Sequence, residues 1–322
     1  MIIKDYQKGN ELDFIKLDSS IEEHSFNRRD INNWYWKYQG RNPFGKFFSK
    51  FCYLDKDLIG HFAVIPINFI LNNNIISGGN SIAMMVRNDF QNKGLIKFIG
   101  DKLFEDCDKK LKFIYGIPNE RSYELHKVFF NYEDCLDLNF YSSNLDYFKF
   151  SAESSNYIKQ ISLFSDKYNF FWNDIKSQFT FTLNKSKEFM NWRYIDRPDH
   201  DYICYEFIED DFIKGYVILK IYKEGNITKG HIMDLLVKNN DHVSANKLIR
   251  FSINFFQKNS VNNIFFYSDI ITMIDKEILN KLNIVYKRKL IIKNNSDQKL
   301  EIKKAFSSNS FNFSMGDSLE IF

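Results

Sequence analysis

One loop of this 322-residue chain combines residue types that suit the binding of an anion. It runs from Val86 to Ile96, contains Lys93 and Gly94, follows an apolar strand-like stretch at 81–86 and leads into an amphipathic helix expected from Ile96 to Asp106. Backbone amides at a helix start lack partners, and the helix dipole attracts negative charge. Glycine lets a phosphate approach the backbone closely. The loop therefore predicts a pyrophosphate site, with an ordinary strand–turn–helix connection as the alternative.

Two blocks of sequence in the right order carry a family resemblance. The pattern V-x-x-x-[FY]-Q-x-[KR]-G-[LI] after an apolar strand resembles the acyl-CoA loop of the GNAT acyltransferase superfamily. The second block, a strand at 112–116 followed by Pro118-Asn119 and a helix reaching Tyr132, resembles the next block of that family. The chain departs from the pattern at Ile96, where the family has a second small residue, and at Asn131-Tyr132, which replaces Gly-Phe.

The resemblance implies acyl-CoA (acetyl-CoA or a hydroxyacyl-CoA) as co-substrate and no metal. In the family's plan, main-chain groups at the end of the strand hold the pantetheine arm and the thioester oxygen, which is an oxyanion-type role. The loop amides would bind the pyrophosphate, with basic side chains adding charge. The expected cofactor-binding residues are Met85, Val86, Arg87, Gln91, Asn92, Lys93, Gly94, Leu95, Ile96, Asn119 and Ser122.

Two histidines are candidates for catalysis. His126 stands where the family usually has a tyrosine that protonates the leaving thiolate, and a histidine with an ordinary pKa of about 6.5 suits that task. His61 shares one strand face with Ala63 and Ile65, and it could act as a base or contact the acceptor. An ordinary structural histidine is the alternative for both, and no carboxylate clearly takes the role of general base.

The acceptor side has weaker signals. Glu23 and His24 lie in a helical region where this fold often binds the acceptor, and a charged exterior is the alternative. Trp36 could stack on a base, although anchoring a helix to its sheet is the favoured interpretation. Met84 could contact the substrate or simply pack in the core.

An internal repeat indicates two copies of one domain. Trp36-Lys37-Tyr38 corresponds to Trp192-Arg193-Tyr194 at an offset of 192 − 36 = 156, and similar strand pairs follow both segments. The second copy has no glycine in its loop and carries an acid there, so we expect acyl-CoA in the first copy and the acceptor side in the second. The predicted fold is α/β, with tandem GNAT-like domains at 1–148 and 149–322, each a twisted mixed β-sheet flanked by helices.

Composition narrows the class of protein. A hydrophobic fraction of 44% argues against disorder, and a net charge of +3 without a basic stripe does not indicate a nucleic-acid partner. Four scattered cysteines without a C-x-x-C pair predict reduced thiols. Without a signal peptide or a long apolar run, we expect a cytoplasmic protein that acts on small molecules, away from membranes. Its oligomeric state stays open.

The doubled plan resembles tandem enzymes that acylate nucleotide-linked amino-deoxysugars, such as dTDP-3-amino-3,6-dideoxyhexoses. The first expectation is therefore acyl transfer from acyl-CoA to such an amine, in the synthesis of surface polysaccharide such as O-antigen. Acetylation of another small amine, such as an aminoglycoside, is the second. A tRNA-dependent aminoacyl transferase shares the doubled fold but would need a basic RNA-binding surface, and a CoA-sensing scaffold is the non-enzymatic alternative.

Overall fold

A computed structural model describes residues 1–21, 30–40, 42–150, 156–198, 201–267, 273–295, 299–306 and 311–319. Within these ranges the chain forms a mixed β-sheet with helices on both faces, which confirms the predicted α/β class. The strands are β1 (Ile2–Lys4), β2 (Phe48–Leu54), β3 (Asp57–Leu71), β4 (Asn74–Val86), β5 (Phe113–Gly116), β6 (Glu133–Asn144), β7 (Ile158–Ile161), β8 (Phe181–Leu183), β9 (Tyr202–Glu209), β10 (Phe212–Glu224), β11 (Ile227–Val237), β12 (Asn263–Phe266), β13 (Asn283–Asn294) and β14 (Phe311–Asn312).

The described helices follow the same order of elements in both halves of the chain. They are α1 (Asn10–Ser20), α2 (Ile31–Trp34), α3 (Leu95–Cys107), α4 (Glu120–Phe130), α5 (Asp166–Ile175), α6 (Lys187–Met190), α7 (His242–Lys258), α8 (Lys276–Leu279) and α9 (Lys299–Phe306). A π-helical turn follows α2 at Tyr35–Gln39, and another follows α6 at Asn191–Ile195. In each half, two short helices precede three antiparallel strands, a long helix and a parallel strand.

Tight turns join the antiparallel strands. Asn72 and Asn73, between β3 and β4, both have positive φ, as do Asp210 and Asp211 between β9 and β10. Paired positive φ angles are typical of type I′ hairpins, in which Asn and Asp are tolerated. Strand β3 is buried along nearly its whole length because helices cover both faces, so its sequence is almost continuously apolar.

Strands β6 and β13 exchange places between the halves. The sheet order is β1-β2-β3-β4-β5-β13-β6-β12-β11-β10-β9-β7, with β8 paired to β3 and β14 paired to β8. Strand β13, from the second half of the sequence, therefore lies beside β5, and β6, from the first half, lies beside β12. The expected domains 1–148 and 149–322 share one continuous sheet.

The core has three parts that follow from this sheet. Helix α3 packs an apolar stripe on β2 and β3, and α7 does the same on β10 and β11. The opposite face is covered by α1, α2, α5, α6 and the segment 311–319 in one shared cluster. Within that cluster the Trp36 and Trp192 rings stack with centroids 5.0 Å apart. Each indole N–H donates to the other residue's carbonyl, at 2.7 Å from Trp36 and 3.4 Å from Trp192.

Candidate active site

Strand β4 carries a β-bulge just before its end. The pairing with β3 shifts between Ile82 and Met85, so that Ala83 and Met84 lie opposite Phe62 alone. Ala83 has φ +50°, a left-handed conformation that is uncommon for a residue with a β-carbon. The His61 ring contacts the Ala83 carbonyl oxygen through Nδ1 at 3.0 Å and so stabilises the bulge.

The pairing of strands β4 and β5 ends before the bulge. Their parallel pairing covers only Gly78–Asn80 of β4 and Phe113–Tyr115 of β5. From Ser81 onward, the edge of β4 that faced β5 has no strand beside it within the described chain. Main-chain groups on that edge are therefore available to a ligand inserted between the strands.

The loop after β4 is held in shape by Gln91. Its side-chain amide donates to the Val86 carbonyl oxygen at 3.0 Å and to Asn88 Oδ1 at 2.9 Å. Its carbonyl oxygen accepts a hydrogen bond from the Arg121 guanidinium. Gln91 thus links the end of β4 to the start of α4.

Helix α3 begins at an open, uncapped end. Its N-cap, Gly94, has φ +72° and no side chain, and a β-carbon built there would meet no atom within 4 Å. The amides of Lys97 and Phe98 donate to the Gly94 carbonyl oxygen. The amide groups of residues 92–96 donate to no acceptor among the described residues. Free amides at a dipole's positive end form an anion site.

The corresponding helix of the second half, α7, is capped at its N-terminus by the side chain of its N-cap residue. Its N-cap is Asp241, whose carboxylate accepts hydrogen bonds from the amides of Val243 at 2.9 Å and Ser244 at 3.3 Å, and from the Ser244 hydroxyl. These hydrogen bonds lower the pKa of Asp241. In α7 a carboxylate therefore occupies the N-cap position, which has no side chain in α3. The acidic residue in this loop of the second copy had predicted such a difference.

A cavity of about 250 Å³ lies between the α3 start and the α4 start. It brings together all the expected cofactor-binding residues except Arg87 and Lys93, and Met84 lines it too. The structure adds five residues that the sequence had not indicated. These are Ile21, Phe90, Arg121, Leu125 and Phe129.

The charge at this cavity does not come from the residues expected. Arg87 forms two hydrogen bonds to Asp89, at 2.7 Å and 2.9 Å, and lies 3.7 Å from Asp57, so its charge is balanced by two carboxylates. Lys93 is exposed, with Nζ 5.3 Å from the centre of the Phe90 ring. The cation that lines the cavity is Arg121, two residues after Asn119 at the start of α4.

Asn119 and Ser122 have structural tasks besides lining the cavity. The Asn119 side chain caps α4 by accepting a hydrogen bond from the Ser122 amide at 2.8 Å. A wider groove of about 950 Å³ adjoins the cavity at Asn119 and Arg121, and β13 contributes Lys287 and Arg288 to it. Neither of these two cations forms an ion pair with a described residue, so both suit the phosphates of a nucleotide.

The surroundings of His126 do not suit the acid role predicted for it. Its Nδ1 lies 2.7 Å from the Ser122 carbonyl oxygen, so Nδ1 carries the proton, and Nε2 accepts from the Ser81 hydroxyl at 3.1 Å. Burial lowers the pKa of His126 to about 4. The ring is therefore neutral at pH 7, with its free nitrogen already in use. A histidine in this state has no proton on Nε2 to give to a thiolate, so the structure favours the structural alternative for His126.

His61 does not face the cavity either. The ring is fully buried, shares a face with Ala63 and Ile65 as predicted, and packs against Phe14 at 4.8 Å and Phe51 at 4.6 Å between ring centroids. The contact between its Nδ1 and the Ala83 carbonyl oxygen stabilises the bulge, which is a structural role. The structure thus favours the core alternative for His61 over a base.

Of the residues expected on the acceptor side, Met84 lines the cavity and Trp36 lies in the core. Trp36 is buried against Trp192, which fits the anchoring interpretation and leaves no open face for a base. Arg197 also lies over its ring, at 4.8 Å. Glu23 and His24 lie outside the described residues.

Comparisons with known proteins agree with this architecture. No family model and no curated protein sequence matches the chain. It is similar to a GCN5-related N-acetyltransferase from Anabaena variabilis ATCC 29413, with a TM-score of 0.67 and 12% identity over 92% of this chain and 73% of that one. It is also similar to a conserved protein from Enterococcus faecalis V583 described as a probable N-acyltransferase, with a TM-score of 0.68 and 12% identity over 93% and 74%. The fold is therefore that of the GCN5-related N-acetyltransferases. No described helix is long and apolar enough to cross a membrane.

Proposed function

We propose that this chain transfers an acyl group from acyl-CoA to a primary amine. The observation that carries the proposal is the difference between the two helix starts. Gly94 leaves the amides at the start of α3 open to a diphosphate, whereas Asp241 fills the same place in α7. Of these two helix starts, the first alone thus leaves room for a diphosphate, beside a strand edge with no neighbouring strand among the described residues.

The described residues fit the parts of acyl-CoA in order along the cleft. The open α3 start suits the diphosphate because free amides and the helix dipole favour anions. The unpaired edge of β4 from Ser81 to Val86 suits the amide-rich pantetheine arm and the thioester oxygen. Arg121, Lys287 and Arg288 suit the phosphorylated nucleotide end.

Direct attack of a neutral amine on the bound thioester is the mechanism that this arrangement favours. Holding the thioester and the amine together replaces a bimolecular encounter, which lowers the barrier substantially. Backbone donors at the β4 edge stabilise the oxyanion as the tetrahedral intermediate forms. With His126 neutral, the attacking amine releases one proton to solvent as the amide forms, and the leaving thiolate takes one proton from solvent.

For the acceptor we propose a nucleotide-linked amino-deoxysugar of the dTDP class, on the basis of the doubled sequence plan. An aminoglycoside is the second candidate within the same chemistry. The doubled sequence plan predicts a cofactor site in the first copy, which is compatible with the capped start of α7. A panel of dTDP- and UDP-amino sugars and aminoglycosides, assayed for free CoA with acetyl-CoA and hydroxybutyryl-CoA, distinguishes the candidates.

Calorimetric titration with CoA tests the cofactor site. Gly94→Asp places a carboxylate at the α3 start, as Asp241 does in α7, and Gly94→Asn is the matched control because Asn has nearly the same size and tolerates positive φ. We expect the aspartate variant to bind CoA at least about tenfold more weakly than the asparagine variant, which corresponds to about 1.4 kcal/mol. Equal affinities, or no heat from the wild-type protein, would refute the proposal.

A further inference from the structure

A wide groove, the edge groove, runs along the outer edge of β2, far from the cofactor cavity. Strand β1 pairs with residues 51–53 of β2, so residues 48–50 have no strand beside them on that edge within the described chain. The groove encloses about 1120 Å³, which is enough for a ligand the size of a nucleotide. It shares no lining residue with the cofactor cavity, and 85 − 77 = 8 residue steps from Ser77 to Met85 put about 25 Å of β4 between them. Its walls include Tyr6, Phe44, Lys46, Phe48, Ser49 and Lys110.

Aromatic rings form one part of the groove's wall. Phe44, Phe47 and Phe48 line it and are only half-buried, so part of each ring is open to a ligand. Phe189 stacks on Phe44 with ring centroids 5.6 Å apart, and Tyr6 supports Phe47 at the same distance. Aromatic faces that are held in place in this way stack on a nucleobase, whichever base it is. The groove therefore suits a planar ring.

Two lysines bring positive charge to the same groove. Lys46 and Lys110 are exposed, line the groove and form no ion pair with a described residue. The Lys110 ammonium lies 5.8 Å from the centre of the Phe48 ring, so a cation stands beside an aromatic face. A lysine ammonium is a common partner for phosphate. The groove therefore has sites for a ring and for an anion next to each other.

The acidic residues that line the groove are already paired. Lys50 lies 2.6 Å from Asp5 and 2.6 Å from Asp106, and Lys109 lies 3.2 Å from Asp106. These two lysines and the two unpaired ones outnumber the two aspartates, which leaves a net charge of 4 − 2 = +2. The charge of the groove therefore favours an anionic ligand over a neutral one.

A buried hydroxyl indicates a ligand independently. Ser49 lines the groove and is 6% exposed, yet its Oγ has no hydrogen-bond partner among the described residues. The other serine that lines the groove, Ser77, donates to the Lys110 carbonyl oxygen at 2.9 Å. A buried hydroxyl without a partner costs free energy that a ligand with polar groups would recover. Asn68 also lines the groove and has both a donor and an acceptor in its side chain.

We propose that the edge groove binds a nucleoside phosphate. The base lies against the phenylalanine rings, the phosphate is bound by Lys46 and Lys110, and Ser49 and Asn68 bind polar groups of the nucleoside. The proposal does not depend on acyl transfer, because the groove and the cofactor cavity have no residue in common. A free nucleotide and the nucleotide part of a nucleotide sugar share this chemistry.

Calorimetric titration of the wild-type protein tests the class of ligand. The probes are UMP, AMP, uridine and ribose 5-phosphate, each with and without saturating CoA. We expect at least one of the two nucleotides to bind about tenfold or more tightly than uridine and ribose 5-phosphate, because each of these lacks one half of the ligand. Saturating CoA should leave this affinity unchanged. No binding of either nucleotide, or equal affinities for the nucleotides and their fragments, would overturn the proposal.

Replacement of single lysines locates the phosphate. Lys46→Gln and Lys110→Gln should each weaken binding of the better nucleotide at least about fivefold, because a charged hydrogen-bond donor is lost. The matched control is Lys56→Gln, since Lys56 is equally exposed, lies in the turn at the other end of β2 and does not line the groove. We expect its affinity to stay within about twofold of wild type. An equal loss in all three variants would overturn the groove as the site.

The two serines give opposite expectations for binding and for stability. Ser49→Ala should weaken nucleotide binding at least about fivefold without lowering the free energy of unfolding, because no hydrogen bond within the protein is lost. Ser77→Ala should lower the free energy of unfolding and leave the affinity within about twofold, because it removes the hydrogen bond to the Lys110 carbonyl oxygen. An unchanged affinity in Ser49→Ala would overturn the proposal.

The titrations also separate this inference from the proposed function. A protein that binds a nucleotide through Lys46 and Lys110 but binds no CoA supports the groove and overturns the proposed function. Nucleotide binding that CoA abolishes takes place in the cofactor cavity and overturns the groove. UDP-glucose distinguishes the two sources: an affinity equal to that of UMP, with the same loss in Lys110→Gln, supports a nucleotide sugar, and tenfold weaker binding supports a free nucleotide.

Discussion

Replacement of Lys185 by methionine tests the buried charges that hold the segment 311–319 in the core. Lys185 is fully buried, and its Nζ lies 2.9 Å and 2.8 Å from the two carboxylate oxygens of Asp234. It also lies 3.2 Å from Ser314 Oγ and 3.3 Å from Asp317 Oδ1. Methionine keeps the length of the side chain and removes the only positive charge in this group of four.

The expected loss in the free energy of unfolding is about 3–5 kcal/mol, the range for a buried ion pair deprived of one partner. Other donors limit the loss, since Asp234 still accepts from the Tyr216 hydroxyl at 3.1 Å and Asp317 from the Ser314 amide at 2.7 Å. Two carboxylates nevertheless remain buried after the loss of the cation that contacts both of them.

The loss should depend on pH in a definite direction. Burial raises the pKa of Asp317 to about 6. A carboxyl whose folded pKa is raised stabilises the folded state at low pH, and this contribution is lost as pH rises through the folded value. Lys185 lowers that pKa, so its removal raises the value further. The variant should therefore lose more stability at pH 8 than at pH 5.

Urea unfolding at both pH values, followed by circular dichroism, measures the effect. The control is Lys102→Met on the exposed face of α3, where Lys102 pairs with Glu105 at 2.9 Å. An exposed pair contributes about 0–1 kcal/mol. A loss below about 1 kcal/mol for Lys185→Met, or an equal loss at pH 5 and pH 8, would refute the reasoning.

Two further predictions concern single buried groups. Burial raises the pKa of Glu206 to about 7, so the contribution of this carboxyl group to stability is lost as pH rises through that value. Glu206→Gln should therefore raise the free energy of unfolding by about 1–2 kcal/mol at pH 8 but not at pH 4. Urea titrations that show no gain at pH 8 would contradict this. Because the pKa of His126 is lowered to about 4, the neutral imidazole contributes stability above pH 6.5, and this contribution is lost as pH falls through about 4. Between pH 7 and pH 4, the free energy of unfolding should therefore fall by about 2–3 kcal/mol more in the wild type than in His126→Gln. At pH 7, His126→Gln should keep its amine-dependent rate within about tenfold, whereas a hundredfold loss would restore the acid role.

The sequence predicted those parts of the site that depend on local signals. The loop with Gly94 and the helix after it were predicted within one residue of α3, because a turn glycine and an apolar stripe are both read over short distances. The contrast with Asp241 followed from the internal repeat. Asn131, in the left-handed conformation, ends α4 at Phe130, earlier than the helix expected to reach Tyr132.

Other features depend on contacts that no local pattern encodes. The left-handed Ala83 is unexpected because alanine carries no preference for that conformation, and the pairing with β3 imposes it. Arg121 looks like an ordinary exposed helix residue until α4 is placed beside the loop. The neutral state of His126 results from burial, which its spacing from Asn119 does not reveal.

The exchange of β6 and β13 has a consequence for how the polypeptide reaches its native state. Strand β5 gains its outer neighbour only when residues 291–294 arrive, long after the first half has left the ribosome. Until then the backbone N–H and C=O groups on one edge of β5 lack partners, and an unpaired strand edge of this kind promotes aggregation. Residues 291–294 must therefore be synthesised before the sheet of the first half is complete, and expression of the two halves as separate chains would leave β5 and β12 each without one neighbouring strand.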